Sequence, residues 1–216
     1  MFEPSRNVVT RSHAGVRNRF PSRKMGRMIG CESLLEREAA RLFELHPFVT
    51  RYVEQPPQQT CYDAFGKAFG YTPDFFVEFS NRTHCYVEIK PAKALRDPEL
   101  VERLSAVERS FEDREQPFRL LTDRELRAEP RAKSLRRIRS ESKTPLSSQA
   151  AEALIDQLGS KLNLTIGEAK LRVGEYNVMR LIAAGRLHFD FNKPLVDEAF
   201  LYKSLDAGAS HDAFLI

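Results

Sequence analysis

The sequence predicts a mixed α/β domain of about 100 residues, followed by a small helical module. Residues 31–47 have a helical period, several strand-like runs occupy residues 48–90, and a second helical period begins at residue 97. Hydrophobic residues make up 42% of the chain and charged residues 30%, which indicates a soluble globular protein. Because no membrane span or secretory signal is evident, we expect a cytoplasmic protein with no membrane partner.

The first helix is expected over CESLLEREAARLFELHP. Its apolar residues recur at helical spacing, Ser33 is a good N-cap residue, and Pro47 closes the segment. The strand candidates that follow are FVTRYVEQ, QQTCYDAF, YTPDFFVEF and THCYVEIK. A turn at Asn81-Arg82 would join the last two as a hairpin. Together these segments predict a helix packed beside consecutive strands.

The second helix begins at DPELVERLSAVERSFEDREQ, where Asp97 is the expected cap and Pro98 the first helical residue. A short strand, PFRLLT, completes the domain. Farther on, helical segments, one of them capped by Thr165, precede a hairpin-like run, RLHFDFNKPL, so we predict a winged-helix-like module. The chain then divides into a basic N-terminal arm (1–30), the α/β domain (31–130), a basic linker (131–148) and the C-terminal module (149–216).

Basic residues are concentrated in the predicted arm and linker. Residues 1–30 contain seven Lys or Arg residues and one acidic residue, and a second basic run spans residues 131–143. Such patches attract nucleic acid by releasing counterions from phosphates, although solvated basic tails look the same in sequence. The candidate DNA contacts are Arg17, Arg19, Arg23, Lys24, Arg27, Arg136, Arg137 and Arg139.

The three cysteines, Cys31, Cys61 and Cys85, form no CxxC spacing. Their odd number and wide separation indicate reduced thiols and argue against a disulfide framework or a zinc site.

Charged residues interrupt the strand pair at Asp74, Glu88 and Lys90. Counting by two places Glu88 and Lys90 on one face of their strand, and a turn at residues 81–82 could bring Asp74 opposite them. Two carboxylates from neighbouring strands suit Mg²⁺ or Mn²⁺, with the Ile89 carbonyl as a further oxygen ligand. Lys90 would then orient or deprotonate a water and stabilise charge on a phosphodiester. The alternative is a half-exposed strand with solvated charges.

Glu36 allows two interpretations. It lies three residues after Ser33, so S-L-L-E forms a capping box in which Glu36 would bond its own helix terminus. An acid in the first turn of a helix packed on the sheet could equally reach the site as a third metal ligand. Periodicity does not choose between the two.

The order of these motifs resembles the TnsA-like transposon-end endonuclease family, within the restriction-endonuclease-like nucleases. The resemblance covers about residues 20–125, where PSRKMGRMIGCESLLEREAARLFELHPFVTRYVEQPPQ precedes YTPDFFVEF and YVEIKP, and it includes VMRLIAAGRLHFD near the C-terminus. The active-site pattern of that group, PD…(D/E)-x-K, stands here as Pro73-Asp74 and Glu88-Ile89-Lys90. The resemblance therefore implies a restriction-endonuclease-like mixed sheet flanked by helices.

The resemblance also implies roles for the matched residues. Glu36, Asp74 and Glu88 would hold Mg²⁺, Lys90 would be the catalytic lysine, and Gln55 a supporting residue or a packing residue. Such an enzyme nicks the 5′ strands at the ends of a transposon. A DDE-type transposase cuts the 3′ ends, and an ATP-dependent regulator couples both to target choice. The alternatives are a stand-alone restriction or repair nuclease of the same fold and a non-catalytic DNA-binding assembly protein.

Overall fold

The computed structural model describes residues 18–159 and 163–203. The described chain divides into two compact units. The first unit comprises residues 18–44 and 48–126, and the second comprises residues 45–47, 127–159 and 163–203. The two units are described separately below.

The helices and strands follow one another in this order along the chain: β1 Asn18–Ser22, β2 Arg27–Cys31, α1 Leu34–Leu45, β3 Val49–Glu54, β4 Gln59–Tyr62, β5 Ala68–Tyr71, β6 Phe75–Phe79, β7 His84–Ile89, α2 Pro98–Glu112, β8 Phe118–Leu121, α3 Asp123–Leu126, α4 Arg131–Glu141, α5 Ser148–Gln157, β9 Asn163–Thr165, α6 Ile166–Val173, α7 Glu175–Ala183 and β10 Phe200–Tyr202.

A four-stranded mixed sheet forms the centre of the first unit. Its strand order is β3-β6-β7-β8, with β3, β6 and β7 antiparallel and β8 parallel to β7. The hairpin of β6 and β7 pairs Phe75 with Val87, and the chain reverses at Asn81-Arg82 as predicted. A mixed sheet flanked by helices confirms the predicted α/β class and is consistent with a restriction-endonuclease-like fold.

Both faces of this sheet are covered. On one face, the ring of Phe43 from α1 lies 5.3 Å from the ring of Phe75. On the other, the ring of Phe111 from α2 lies 4.9 Å from that of Tyr86. Because each strand residue faces one helix or the other, β6 and β7 are apolar along almost their whole length. A charged residue in these strands must therefore find a partner or lie at a strand end.

The N-terminal segment is more ordered than the sequence indicated. The sequence predicted only a basic arm over residues 1–30, extended or partly disordered, but its described part forms the hairpin of β1 and β2. The Glu44 carboxylate of α1 holds the turn: it accepts hydrogen bonds from Ser22 Oγ at 2.6 Å, from the Arg23 N–H at 2.9 Å and from Tyr52 Oη at 2.8 Å. These partners are distant in sequence, so no local periodicity reveals them. Residues 1–17 lie outside the described part.

The hairpin of β4 and β5 lies against α2. The Tyr62 N–H donates to Ser110 Oγ at 2.9 Å, and Tyr71 belongs to the aromatic cluster beneath the helix. The strand candidates QQTCYDAF and YTPDFFVEF left residues 66–70 between them as a loop, but β5 begins within that loop. Helix α2 begins as predicted, with the Asp97 side chain accepting from the Glu99 N–H and with Pro98 in the first turn.

The second unit contains α4 to α7 and a two-stranded sheet of β9 and β10. The predicted linker at 131–148 is wrong over α4, because Leu135 and Ile138 alternate with arginines at helical spacing and are buried. Thr165 and Glu168 form the capping box of α6, which confirms the predicted cap. The predicted hairpin over 186–195 is also wrong: His188 bridges to Tyr202 instead. The winged-helix assignment stays a prediction.

Within the described residues, no helix has both the length and the apolar character needed to cross a membrane. All three cysteines are free and buried.

Candidate active site

Asp74 and Glu88 meet at the end of the β6–β7 ladder. The register pairs Phe75 with Val87, so the next positions outward are Asp74 and Glu88. Asp74 Oδ2 accepts a hydrogen bond from the Ile89 N–H at 2.8 Å, which fixes its carboxylate across the strand end. Glu88 is 4% exposed. The strands therefore bring together the two carboxylates that the sequence placed on matching faces.

Lys90 completes this cluster at the end of β7. Its backbone N–H donates to the Leu121 carbonyl at 3.1 Å, which continues the parallel pairing with β8. Its ammonium donates to Glu88 Oε1 and to the Ile89 carbonyl at 3.3 Å, and lies 3.8 Å from Asp74 Oδ2. The ammonium thus lies among the three oxygen atoms that the sequence proposed as metal ligands.

Glu36 lies in the first turn of α1 and is 8% exposed. Ser33 Oγ accepts a hydrogen bond from the Glu36 N–H at 3.0 Å, and Glu36 Oε2 accepts one from the Glu32 N–H at 2.7 Å. The carboxylate therefore takes part in a cap, although it bonds residue 32 and not residue 33. Its charge also interacts with those of Lys90 and Asp74, so both interpretations of Glu36 agree with the geometry.

Burial and mutual repulsion shift the pKa values of this group. Burial, and then the charge of Glu88, raise the pKa of Asp74 to about 8, despite the opposing charge of Lys90. Burial also raises the pKa of Glu36. Burial alone would lower the pKa of Lys90, but the charges of Asp74 and Glu88 raise it above its ordinary value. The carboxyl groups are thus crowded, and the ammonium is held protonated.

The charge balance fits a divalent cation. Three acids, Glu36, Asp74 and Glu88, surround one ammonium, and Glu88 Oε2 is buried with no hydrogen-bond partner among the described residues. Hard oxygen donors that outnumber the nearby positive charges are the ligand set that Mg²⁺ or Mn²⁺ prefers. Across residues 18–159 and 163–203, however, no three carboxylate, imidazole or thiol groups are positioned to enclose an ion. The donors fit a metal, while Lys90 lies between two of them.

Gln55 is linked to Asp74 through its backbone. Its N–H donates to the Asp74 carbonyl at 2.9 Å, just beyond the pairing of Glu54 with Phe75. Gln55 has φ of 45° and is 3% exposed. A residue other than glycine in this conformation costs roughly 1–3 kcal/mol and persists only where its surroundings hold it. The bond therefore anchors the start of β6, where Asp74 is placed.

Three of the predicted DNA contacts have structural partners instead. Arg27 forms a two-pronged ion pair with Glu54, with both distances at 2.6 Å. Lys24 is half-buried and donates to the Phe43 carbonyl at 2.9 Å, and burial lowers its pKa to about 7. Arg137 bonds Glu141, Glu175 and the Leu195 carbonyl. Their sequence neighbours are basic, so composition could not distinguish these residues from surface charges.

The other candidates reach solvent. Arg19, Arg23 and Arg139 are exposed, and Arg136 is exposed while paired with Glu129. Arg17 lies outside the described residues. The exposed arginines remain predicted DNA contacts.

Sequence reasoning missed Tyr71 and Glu54. Tyr71 is 9% exposed, and burial, followed by the charge of Glu88, raises its pKa. Glu54 is 5% exposed and accepts the Gly30 N–H at 3.1 Å as well as Arg27. A charged residue at the end of an otherwise apolar strand was the available signal for Glu54. Tyr71 precedes Pro73-Asp74 by only two residues, which was the available signal for its proximity to the site.

Comparison with known proteins agrees with this geometry. Residues 46–123 match the family described as TnsA-like endonuclease N terminal. No curated protein matches the chain. The matched segment includes Gln55, Asp74, Glu88 and Lys90, while Glu36 lies upstream of it. The mixed sheet, the acids at its strand ends and this match lead to one conclusion: residues 46–123 are similar to the N-terminal domain of the TnsA-like endonucleases.

Proposed function

We propose that this protein is a Mg²⁺-dependent DNA endonuclease that nicks the 5′, non-transferred strands at transposon ends. The observation that carries the proposal is the cluster of Asp74, Glu88 and Lys90 at the end of β6 and β7, inside the matched endonuclease segment. Two acids and a lysine from neighbouring strands are the groups that metal-assisted phosphodiester hydrolysis requires.

The metal would be held by the carboxylates of Asp74, Glu88 and Glu36, with the Ile89 carbonyl available on the same side. Bound there, Mg²⁺, or Mn²⁺ in its place, would supply charge neutralisation for the phosphodiester and a lower pKa for water. Two bonds that hold Asp74 in place support the proposal: the Ile89 N–H donates to its carboxylate, and the Gln55 N–H donates to its backbone carbonyl. Preorganisation of this kind lowers the cost of assembling the site.

Lys90 supplies a positive charge beside the scissile phosphate. Asp74 and Glu88 raise its pKa, so the ammonium is protonated at neutral pH and acts as a hydrogen-bond donor. A protonated lysine stabilises the negative charge that develops on the phosphate oxygens. This arrangement favours charge stabilisation over deprotonation of a water as the role of Lys90.

The proposed function also includes DNA binding and two protein partners. Exposed arginines such as Arg19, Arg23 and Arg139 would contact phosphates without reading sequence. A DDE-type transposase would cut and join the 3′ ends, and an ATP-dependent regulator would couple both subunits to target choice. We place this activity in the cytoplasm.

The test is a cleavage assay on DNA carrying the transposon end, with the purified partner transposase and Mg²⁺. The wild-type protein is expected to nick the 5′ strand, and Asp74→Ala is expected to bind the DNA but not to cut it. Glu78→Ala is the matched control, because Glu78 lies on the same strand and is paired with Arg51 away from the cluster. Equal nicking by the wild type and Asp74→Ala would overturn the site assignment.

The same assay without the transposase tests the dependence on a partner. We expect weak cleavage by the isolated protein, because specificity would rest with the complex. Vigorous, sequence-specific cutting by the protein alone would instead favour a stand-alone nuclease of this fold. DNA binding with no cleavage under any condition would favour a non-catalytic assembly protein.

A further inference from the structure

Tyr71 is fixed in the aromatic cluster under α2. It ends β5, is 9% exposed, and its ring lies 6.5 Å from that of Phe118 in an edge-on arrangement. Phe118 pairs with Tyr86, two residues before Glu88 on the same face of β7. Tyr71 also interacts with the Glu88 side chain, so it lies near the strand end that carries this carboxylate.

The two oxygen atoms of Glu88 have different surroundings. Oε1 accepts a hydrogen bond from the Lys90 ammonium, whereas Oε2 is buried and has no hydrogen-bond partner among the described residues. Tyr71 Oη is buried and lacks a hydrogen-bond partner in the same part of the chain. Buried polar atoms are almost always paired in folded proteins, so two neighbouring ones without partners need an explanation.

These two atoms are chemically complementary. A phenol donates one hydrogen bond, and a carboxylate only accepts. An ordinary phenol keeps its proton at neutral pH, so the Tyr71 hydroxyl is available as the donor. The charge of Glu88 and hydrogen bonding to its side chain both contribute to the raised pKa of Tyr71, so the two groups are close together, although neither Tyr71 Oη nor Glu88 Oε2 has a partner of standard hydrogen-bond geometry within the part of the chain that the structure describes.

We infer that Tyr71 is a positioning residue that donates a hydrogen bond to Glu88 Oε2 and fixes this carboxylate for binding a divalent cation. With Oε2 held by Tyr71, Oε1 is left to face Lys90, whose ammonium also lies 3.8 Å from Asp74 Oδ2. Partners of this kind keep a ligand in one orientation and increase its affinity for the metal. This inference rests on the proposed function, since it assigns a role toward the same cation.

Tyr71→Phe tests the role, because it removes only the hydroxyl. Mn²⁺ binding measured by isothermal titration calorimetry is expected to weaken by about tenfold or more in this variant, as for other residues that orient metal ligands. Tyr86→Phe is the matched control: it removes a hydroxyl from the same buried cluster, but one whose electrostatic partner is Arg114. It is expected to bind Mn²⁺ like the wild type.

Adding Tyr71→Phe to a Glu88→Gln variant distinguishes a role in positioning Glu88 from a general role in packing. In Glu88→Gln, the carboxylate that Tyr71 is proposed to hold is gone, so adding Tyr71→Phe is expected to change the residual Mn²⁺ affinity little. Equal affinity of the wild type and Tyr71→Phe would overturn the inference. An equal loss of affinity on adding Tyr71→Phe to the wild type and to Glu88→Gln would overturn it as well, because the effect would then not pass through Glu88.

A spectroscopic readout on the wild-type protein covers the case in which Tyr71→Phe does not fold. The chain has six tyrosines and no tryptophan, so its near-ultraviolet absorption reports tyrosine environments. Mg²⁺ is expected to produce a tyrosine difference spectrum that Tyr86→Phe retains and Glu88→Gln loses. No difference spectrum in a protein that binds Mg²⁺ by calorimetry would overturn the inference. A wild-type protein that binds neither Mn²⁺ nor Mg²⁺ would instead contradict the proposed metal dependence.

Discussion

The first unit contains two groups of carboxylates that differ in how their charges are balanced. Near the N-terminal hairpin, Glu54 is buried and faces Arg27, while Glu44 is half-buried beside Lys24 and accepts hydrogen bonds from Ser22 and Tyr52. Each of these two acids has a basic residue beside it. At the end of β6 and β7, Glu36, Asp74 and Glu88 share one ammonium, that of Lys90.

The difference separates carboxylates that hold the fold from carboxylates that we propose to bind a cation. A buried acid that is fully paired anchors one segment to another, as Glu54 anchors the β1–β2 hairpin to β3. A buried group with surplus negative charge is unfavourable in the folded state, and proteins keep such groups at functional sites. Substitutions in the two groups should therefore have opposite effects on stability and activity.

The largest effect is expected from Lys90→Ala. Removing the ammonium takes away the positive charge nearest the phosphate, so cleavage should fall by about 10²–10³-fold while DNA binding persists. Gel-based nicking and filter-binding assays measure the two quantities separately. Lys67→Ala removes an exposed lysine from the β4–β5 turn and is the control. Retained cleavage by Lys90→Ala would place Lys90 with the residues that only stabilise the fold.

Glu36→Gln decides to which group Glu36 belongs. Glutamine keeps an oxygen that can accept the Glu32 N–H, but it removes the charge. If Glu36 binds the cation, cleavage should fall by about 100-fold with little change in melting temperature. Glu38→Gln, on the same helix, is the control. A large loss of stability with activity retained would show that Glu36 serves only as a cap.

Arg27→Ala tests the structural role of Glu54, which belongs to the acids that have a basic residue beside them. It leaves Glu54 buried without its cation, so the free energy of unfolding should fall by about 2–3 kcal/mol, allowing for the partial exposure of Arg27. Urea denaturation measures this change. Arg51→Ala breaks the more exposed pair with Glu78 and should cost less than about 1 kcal/mol. Equal losses in the two variants would mean that the Arg27–Glu54 pair is no more structural than a surface pair.

Asp74→Asn should stabilise the protein when metal is absent. The pKa of Asp74 is raised to about 8 from an ordinary 3.8, so between these values the folded state binds more protons than the unfolded state. Stability therefore falls as pH rises through this window, and asparagine removes the dependence. The variant should exceed the wild type by about 1–2 kcal/mol at pH 8, and by less at pH 5.

Denaturation of the metal-free proteins at the two pH values measures this difference, with Glu78→Gln as the control. An Asp74→Asn variant that is less stable than the wild type at pH 8 would show that Asp74 belongs with the structural carboxylates.

The sequence predicted the sheet and the site through local patterns. Counting residues by two predicted which side chains share a face of β6 and of β7. The turn at Asn81-Arg82 predicted the pairing that places Asp74 opposite Glu88. The roles of Arg27 and Tyr71 could not be predicted this way. Each depends on a partner from a distant segment, Glu54 for Arg27 and Glu88 for Tyr71, and strand parity carries no information about such pairs. The basic composition of residues 131–143 likewise led us to predict a linker, although α4 has a buried apolar face.

The most direct test of the central claim is to locate Mn²⁺ by anomalous diffraction from crystals of the protein. We predict a peak within about 2.5 Å of carboxylate oxygens of both Asp74 and Glu88, the range of oxygen ligation for such cations. The Lys90–Glu88 contact should also be displaced relative to the metal-free protein. A peak elsewhere, or a Lys90–Asp74–Glu88 cluster left unchanged in saturating Mn²⁺, would contradict the account.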